Sequence, residues 1–206
     1  SFGLVGGLGL LWTSSALWGS LLLGAPLAVL GMRRLRPLIS FPRPPGWPRA
    51  FLAFPILLAI LYGWISANAP PTDWDSLAVH LAVPKLYAQR GALEPLRWLL
   101  HGFDAMAIEM FYVPALLWRD PPMTAMVSVI FEGLMAAALV VCGKQIASGR
   151  AAWTALALFL SQPAVIYVSG TPGTDFGVGL FGMLGFWTAW RCLQTRRAEW
   201  LLWSGA

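Results

Sequence analysis

The 206-residue chain predicts an all-α, polytopic membrane protein, and three observations carry that expectation. Hydrophobic residues make up 58% of it and charged residues 11%, against about 25% charge in a soluble domain; mean hydropathy is +0.66. The apolar residues fall in continuous runs close to the roughly 20 residues that a helical crossing needs, not in the alternation of a membrane barrel. The basic residues stand in short clusters between those runs. The pI near 9.8 therefore reads as membrane topology and not as nucleic-acid binding.

In chain order the expected spans are Phe2–Gly31, Ala50–Ala67, Met123–Cys142, Ala151–Ser169 and Phe176–Trp190, with a sixth beginning at Trp200. Only helices or closed barrels satisfy backbone polar groups in lipid. The first run carries Gly3, Gly6, Gly7 and Gly9, which permit close helix packing. It lacks the basic start and small-residue cleavage site of a signal peptide. Residues 1–49 thus read as one span plus a basic cytoplasmic loop, 50–197 as a helical core, and 198–206 as the start of a further span.

The segment Ala105–Trp118 decides the topology. It is too short to cross and is interrupted by Pro114, so it is expected to lie in the interface. Ten basic residues then share one side: Arg33, Arg34, Arg36, Arg43, Arg49, Lys144, Arg150, Arg191, Arg196 and Arg197. The other side keeps Lys85, Arg90, Arg97 and Arg119 and most of the acids. That division follows the positive-inside rule. The loop 68–122 then faces outward and should fold into surface helices: Asp75–Arg90, capped by Asp75 and Gly91, then Leu93–Leu100, then Ala105–Trp118. Cys142 and Cys192 are expected as reduced thiols near cytoplasmic helix ends.

Chemistry-bearing residues concentrate in Pro70-Pro71-Thr72-Asp73-Trp74-Asp75-Ser76-Leu77-Ala78-Val79-His80, continued through Pro84-Lys85-Leu86-Tyr87. Two further outer features are Ile108-Glu109-Met110 and Gly170-Thr171-Pro172-Gly173-Thr174-Asp175. Each candidate has a plainer competitor. Asp75 is a possible general base or a helix cap, and Asp73 a second catalytic carboxylate or a turn residue after the prolines. Lys85 could meet a phosphate or snorkel to headgroups. His80 falls about 500° around an α-helix from Asp75, only roughly on its face. Glu109 is an ionisable group in an apolar segment, where such groups are costly and often functional. Asp175 is a substrate ligand or a cap. Glu132, in mid-span, is read as pairing within a helix bundle or facing a partner interface, and not as catalytic.

These segments, over Leu52 to Arg197, resemble the GT-C superfamily of membrane glycosyltransferases. The likeness is to the glycosyltransferase-39-like group that includes the dolichyl-phosphate-mannose–protein mannosyltransferases and the aminoarabinose transferase. The resemblance implies a fragment or shortened relative. It also implies transfer of a sugar from a polyprenyl-phosphate donor to an acceptor at the outer face of a bacterial inner membrane. Asp75 would be the base, with Asp73 beside it and Lys85, His80, Glu109 and Asp175 binding substrate. No cofactor is implied and no metal ligands are assigned, although an Asp-x-Asp spacing can hold a divalent cation near a phosphate. Arg97 or Arg119 would assist Lys85 at the leaving phosphate.

Ser76 and Val79 stand where better-known members carry an acid and an aromatic. The alternative is accordingly a non-catalytic accessory subunit, a GT-C-like scaffold within a larger energy-transducing or pigment–protein membrane complex. A transporter fragment is a weaker option, because most acids lie at the surface and not at mid-membrane.

Overall fold

The structure, a computed structural model, describes residues 49–92, 96, 98–99, 106–118 and 121–200. The expected span Phe2–Gly31, most of the basic loop after it and the chain beyond Trp200 lie outside the described residues.

Helix α1 (Arg49–Ala67) begins the described core. It meets its neighbours through small residues four apart: Ala59, Gly63 and Ala67 are buried, while Phe54, Leu57, Trp64 and Ile65 around them are exposed. A stripe of small residues lets helix backbones approach where lipid offers no hydrophobic drive. A loop then leads to a π-helical turn (Ser76–His80), helix α2 (Ala82–Arg90), a 3-10 turn (Glu109–Tyr112) and the five-residue helix α3 (Val113–Leu117). Four more helices follow: α4 (Pro121–Ile146), α5 (Gly149–Leu160), α6 (Pro163–Val168) and α7 (Asp175–Thr195). There is no strand among the described residues.

Two helical segments, Pro122–Ile146 and Asp175–Thr195, are long and apolar enough to cross a membrane. Helix α4 is the central element, packing against α1, α5 and α7. At one end Ala59, Val140, Leu156 and Leu160 form a core. Towards the other, Ile108, Phe131, Phe176 and Leu180 join the outer segment to α4 and α7. Ile108 fits a notch over Gly177, where an added Cβ would lie 2.8 Å from its side chain. A third cluster of Val83, Tyr87, Leu96 and Met106 gives the segment between α1 and α4 its own interior.

Three of the apolar runs within the described residues form single helices, two of them of spanning length, and one run does not. The expected continuous span Ala151–Ser169 is broken into α5 and α6. Pro163 lacks the N–H that would bond backwards, and it pushes Gln162 into extended backbone (φ −69°, ψ 131°). The expected surface helix Asp75–Arg90 is also divided, by the π turn and Leu81. Its stop holds: Gly91 is left-handed (φ 63°) and its N–H bonds to the Tyr87 carbonyl. The segment 106–118 forms only short turns and α3, far below spanning length. Most of Leu93–Leu100 lies outside the described residues, and Leu96 to Leu99 make a single turn.

Candidate functional site

Near the C-terminal end of α1, the loop 69–76 and the turn before α7 line a cavity of about 570 Å³. Its lining includes the acids Asp73, Asp75 and Asp175 and the aromatic residues Tyr62, Trp74 and Tyr167, with residues 69–72 and 170–173. Among the described residues, no Lys or Arg lines the cavity. Tyr62 also borders a larger apolar groove of about 790 Å³ between α1, α5 and α6, lined by Phe54, Leu58, Ala157 and Leu158 among others. Polar cavity and apolar groove therefore meet at one tyrosine.

The turn Gly170–Thr174 holds the site together. Gly170 is left-handed (φ 72°), and an added Cβ would lie 2.6 Å from the Gly63 carbonyl oxygen and 2.7 Å from Ser66. Only glycine fits both the torsion and the space. The Ser76 hydroxyl donates to the Pro172 carbonyl at 2.6 Å. The Tyr112 hydroxyl bonds to the Gly173 carbonyl and lies 2.9 Å from Ser128 Oγ on α4. Burial pushes the Tyr112 phenol up to about 12, so it remains a neutral joint. The loop, the 3-10 turn, α4 and the head of α7 are thus tied to one short turn.

Asp73 and Asp75 have different local duties. Asp73 Oδ2 accepts the Ser76 N–H at 2.7 Å, which is the capping bond. The expectation that Asp75 caps this helix is corrected: it is already in helical backbone (φ −65°, ψ −48°) and its side chain caps nothing. The reason is spacing, since a side chain caps the amide two or three residues onward, and the first free amide here is served from Asp73. Asp75 is left exposed at the cavity wall.

Behind Asp75 lies His80. Its Nε2 is 3.4 Å from Asp75 Oδ2 and its Nδ1 is 3.2 Å from Glu109 Oε1. The pair Asp75 and His80 meets because the helix is locally wide: the Leu81 N–H bonds to the Ser76 carbonyl five residues back, at 2.8 Å. An α-helix would put the two side chains far apart in angle, whereas a π turn brings the fifth residue back towards the first. The hydrogen bond that the His80 ring donates to Glu109 raises the His80 pKa above its usual value; burial opposes this, and the charges of Asp75, Glu109 and Asp175 reinforce it.

Of the residues singled out in the sequence, Asp73, Asp75 and Asp175 line one cavity, and Glu109 reaches it through His80. Lys85 does not converge with them: it is exposed on α2 and is absent from the cavity lining. A helix that widens before Leu81 resumes α geometry there and turns Lys85 elsewhere. Arg97 and Arg119 lie outside the described residues. Among the described residues no three His, Cys, Asp or Glu side chains gather as a metal site. Cys142 and Cys192 are both free thiols.

Ser76, Tyr112 and Ser128 were not anticipated as joints, nor Tyr62, Trp74 and Tyr167 as cavity rings. A tyrosine hydroxyl in an apolar segment needs a partner when buried, and Tyr112 carried that signal in the sequence.

Mid-bundle, Glu132 on α4 accepts a hydrogen bond from Ser169 Oγ at 2.6 Å, as expected of a pairing residue. Gly63 leaves room for it, since an added Cβ there would stand 2.5 Å from Ser169 Oγ.

No protein-family model, no curated protein and no solved structure matches this chain.

Proposed function

We propose that this chain is a polytopic GT-C-type membrane glycosyltransferase of a bacterial inner membrane, using a polyprenyl-phosphate sugar at the outer face. Asp75 takes the proton of an acceptor hydroxyl as that oxygen bonds to the anomeric carbon, and the bond from that carbon to the phosphate breaks. The products are the glycosylated acceptor and polyprenyl phosphate. The observation that carries this reading is the position of Asp75, relieved of capping by Asp73 and exposed in a cavity of carboxylates and aromatic rings. Carboxylates accept hydrogen bonds from sugar hydroxyls, and ring faces suit the apolar faces of a pyranose. The apolar groove that meets the cavity at Tyr62 suits the donor's prenyl chain.

The three carboxylates of the cavity, with no Lys or Arg among its described lining residues, disfavour a phosphate inside it. The sugar and the acceptor hydroxyl therefore belong inside it. The phosphate belongs outside it, and Lys85, Arg97 and Arg119 remain the candidate cations that the sequence offers. A scaffold in a larger membrane complex is the rival reading; the exposed apolar face of α1 suits partner helices as well as lipid.

The test is transfer by the full chain in liposomes, with polyprenyl-phosphate mannose and polyprenyl-phosphate aminoarabinose as donors, followed as release of polyprenyl phosphate. Native protein should transfer from one of them, and Asp75→Asn should lose about 10²–10⁴-fold in rate. An unchanged mutant rate removes Asp75 as the base. No transfer by native protein from either donor favours the scaffold. The orientation has its own test in a cysteine-free background. A cysteine placed at Gln89 should react with an impermeant thiol reagent from outside, and one at Gln145 should not.

A further inference from the structure

The three side chains Glu109, His80 and Asp75 run from interior to surface. Glu109 is 6% exposed, and the side chains of His80 and Asp75 are 14% and 69% exposed. Each ring nitrogen of His80 faces a carboxylate oxygen, at 3.2 Å and 3.4 Å. A neutral imidazole has one N–H, so one of these contacts would set a lone pair against a carboxylate; the imidazolium has a donor for each. The titratable groups facing the ring come from three elements: Asp75 on its own turn, Glu109 on the 3-10 turn and Asp175 at the head of α7. Tyr112, beside Glu109, stays neutral. Among the described residues, the charged groups that act on the ring are these three acids.

We propose that His80 is a positioning residue of this site, bridging the buried Glu109 to the exposed Asp75. The bridge holds one oxygen of Asp75 and leaves the other for the acceptor hydroxyl. This rests on the glycosyltransferase reading for its catalytic meaning, but the bridge itself is a property of the fold. Glu109 is fixed because Ile108 is seated over Gly177 and Tyr112 is tied to α4 and to the 170–174 turn. His80 is fixed by the π turn and by Glu109. A carboxylate at a loop surface otherwise samples several rotamers, and an ion pair with a held imidazolium at 3.4 Å favours one. No proton is passed along the chain: His80 acts through Asp75.

The bridge and the reading can be tested apart. The sequence has two histidines, His80 and His101, so His101→Gln leaves a single imidazole for ¹⁵N NMR of the full chain in nanodiscs. His80 should titrate above 6.5, with both ring nitrogens protonated at neutral pH, and Asp75→Asn should lower its midpoint. A midpoint at or below 6.5 in protein with Asp75 and Glu109 intact overturns the bridge, whatever any mutant does. In the liposome transfer assay, His80→Gln should lower kcat about tenfold or more with KM within about twofold. It should also abolish the fall in rate as pH rises through the His80 midpoint. A His80→Gln protein with native kcat and native pH profile overturns the positioning role. A raised midpoint together with no transfer by native protein leaves the bridge standing and removes its catalytic meaning, because the reading has then failed.

Discussion

Glu109 at the outer end and Glu132 within α4 are almost equally buried, at 6% and 7% exposure, yet their surroundings use them differently. Glu132 meets a hydroxyl, Ser169, at a point where α1 closes over both through Gly63. Glu109 meets an imidazole whose other nitrogen faces an exposed carboxylate at a cavity. A hydroxyl offers one neutral bond and ends the chain of contacts; an imidazole carries charge and a second donor onward. The lesson is that burial alone does not mark a buried acid as functional. What it is bonded to does, together with where that partner leads.

The largest way to disturb this contrast is at the point both regions share. Gly170→Ala should destabilise the fold by about 3 kcal/mol, since a left-handed alanine costs about 1–2 and overpacking about 1–3. The measurement is unfolding in mixed micelles, and transfer should fall with it because the same turn walls the cavity. Next comes Glu132→Ala, which strands the Ser169 hydroxyl and should cost about 1–3 kcal/mol. Glu132→Gln keeps an acceptor and should cost less than the alanine change. Neither should move the His80 titration, whereas Glu109→Gln should lower its midpoint. If both acids shifted His80 alike, the distinction between the regions would be lost.

Asp73→Ala removes a cap and should cost about 1 kcal/mol. Transfer rates should stay within a few-fold of native, against the large loss expected for Asp75→Asn. Equal losses would return both aspartates to one role. The smallest effect is a pH dependence confined to the outer segment. His80 has a raised pKa when folded, so its contribution is fully present below its unfolded value of about 6.5. It is lost as pH rises through the folded value. Hydrogen-exchange protection of 106–113, corrected for intrinsic rates, should decline over that window while 124–142 stays flat.

The spans were legible where apolar length was the whole signal. Ala50–Ala67, Met123–Cys142 and Phe176–Trp190 each match a helix that extends a few residues beyond the run at one or both ends. The run Ala151–Ser169 was misread because summed hydropathy does not register the missing N–H of Pro163. The site was legible as a set of residues but not as a geometry. A period of 3.6 puts His80 only roughly on the face of Asp75, and no periodicity reveals the local π turn that brings them into contact. The capping choice between Asp73 and Asp75 turned on where the helix begins, a boundary uncertain by a residue or two. Lys85 was grouped with the acids by closeness in sequence, and the change of helical pitch at Leu81 separates them.

That change of pitch makes chain length itself part of the site. A turn closed between residues five apart holds one residue more than an α-helical turn, so the stretch from Asp73 to Gly91 is one residue out of step with a regular helix. Deleting Ala78 would let the stretch wind evenly, with the Asp73 cap and the Gly91 stop both retained. The head of the helix would then rotate by about 100° against its tail. Either Ser76 would lose the Pro172 carbonyl, or Val83 and Tyr87 would leave the outer cluster. A deletion that improves the local helix should therefore undo the cavity, whereas removing the Ala78 methyl by Ala78→Gly should not.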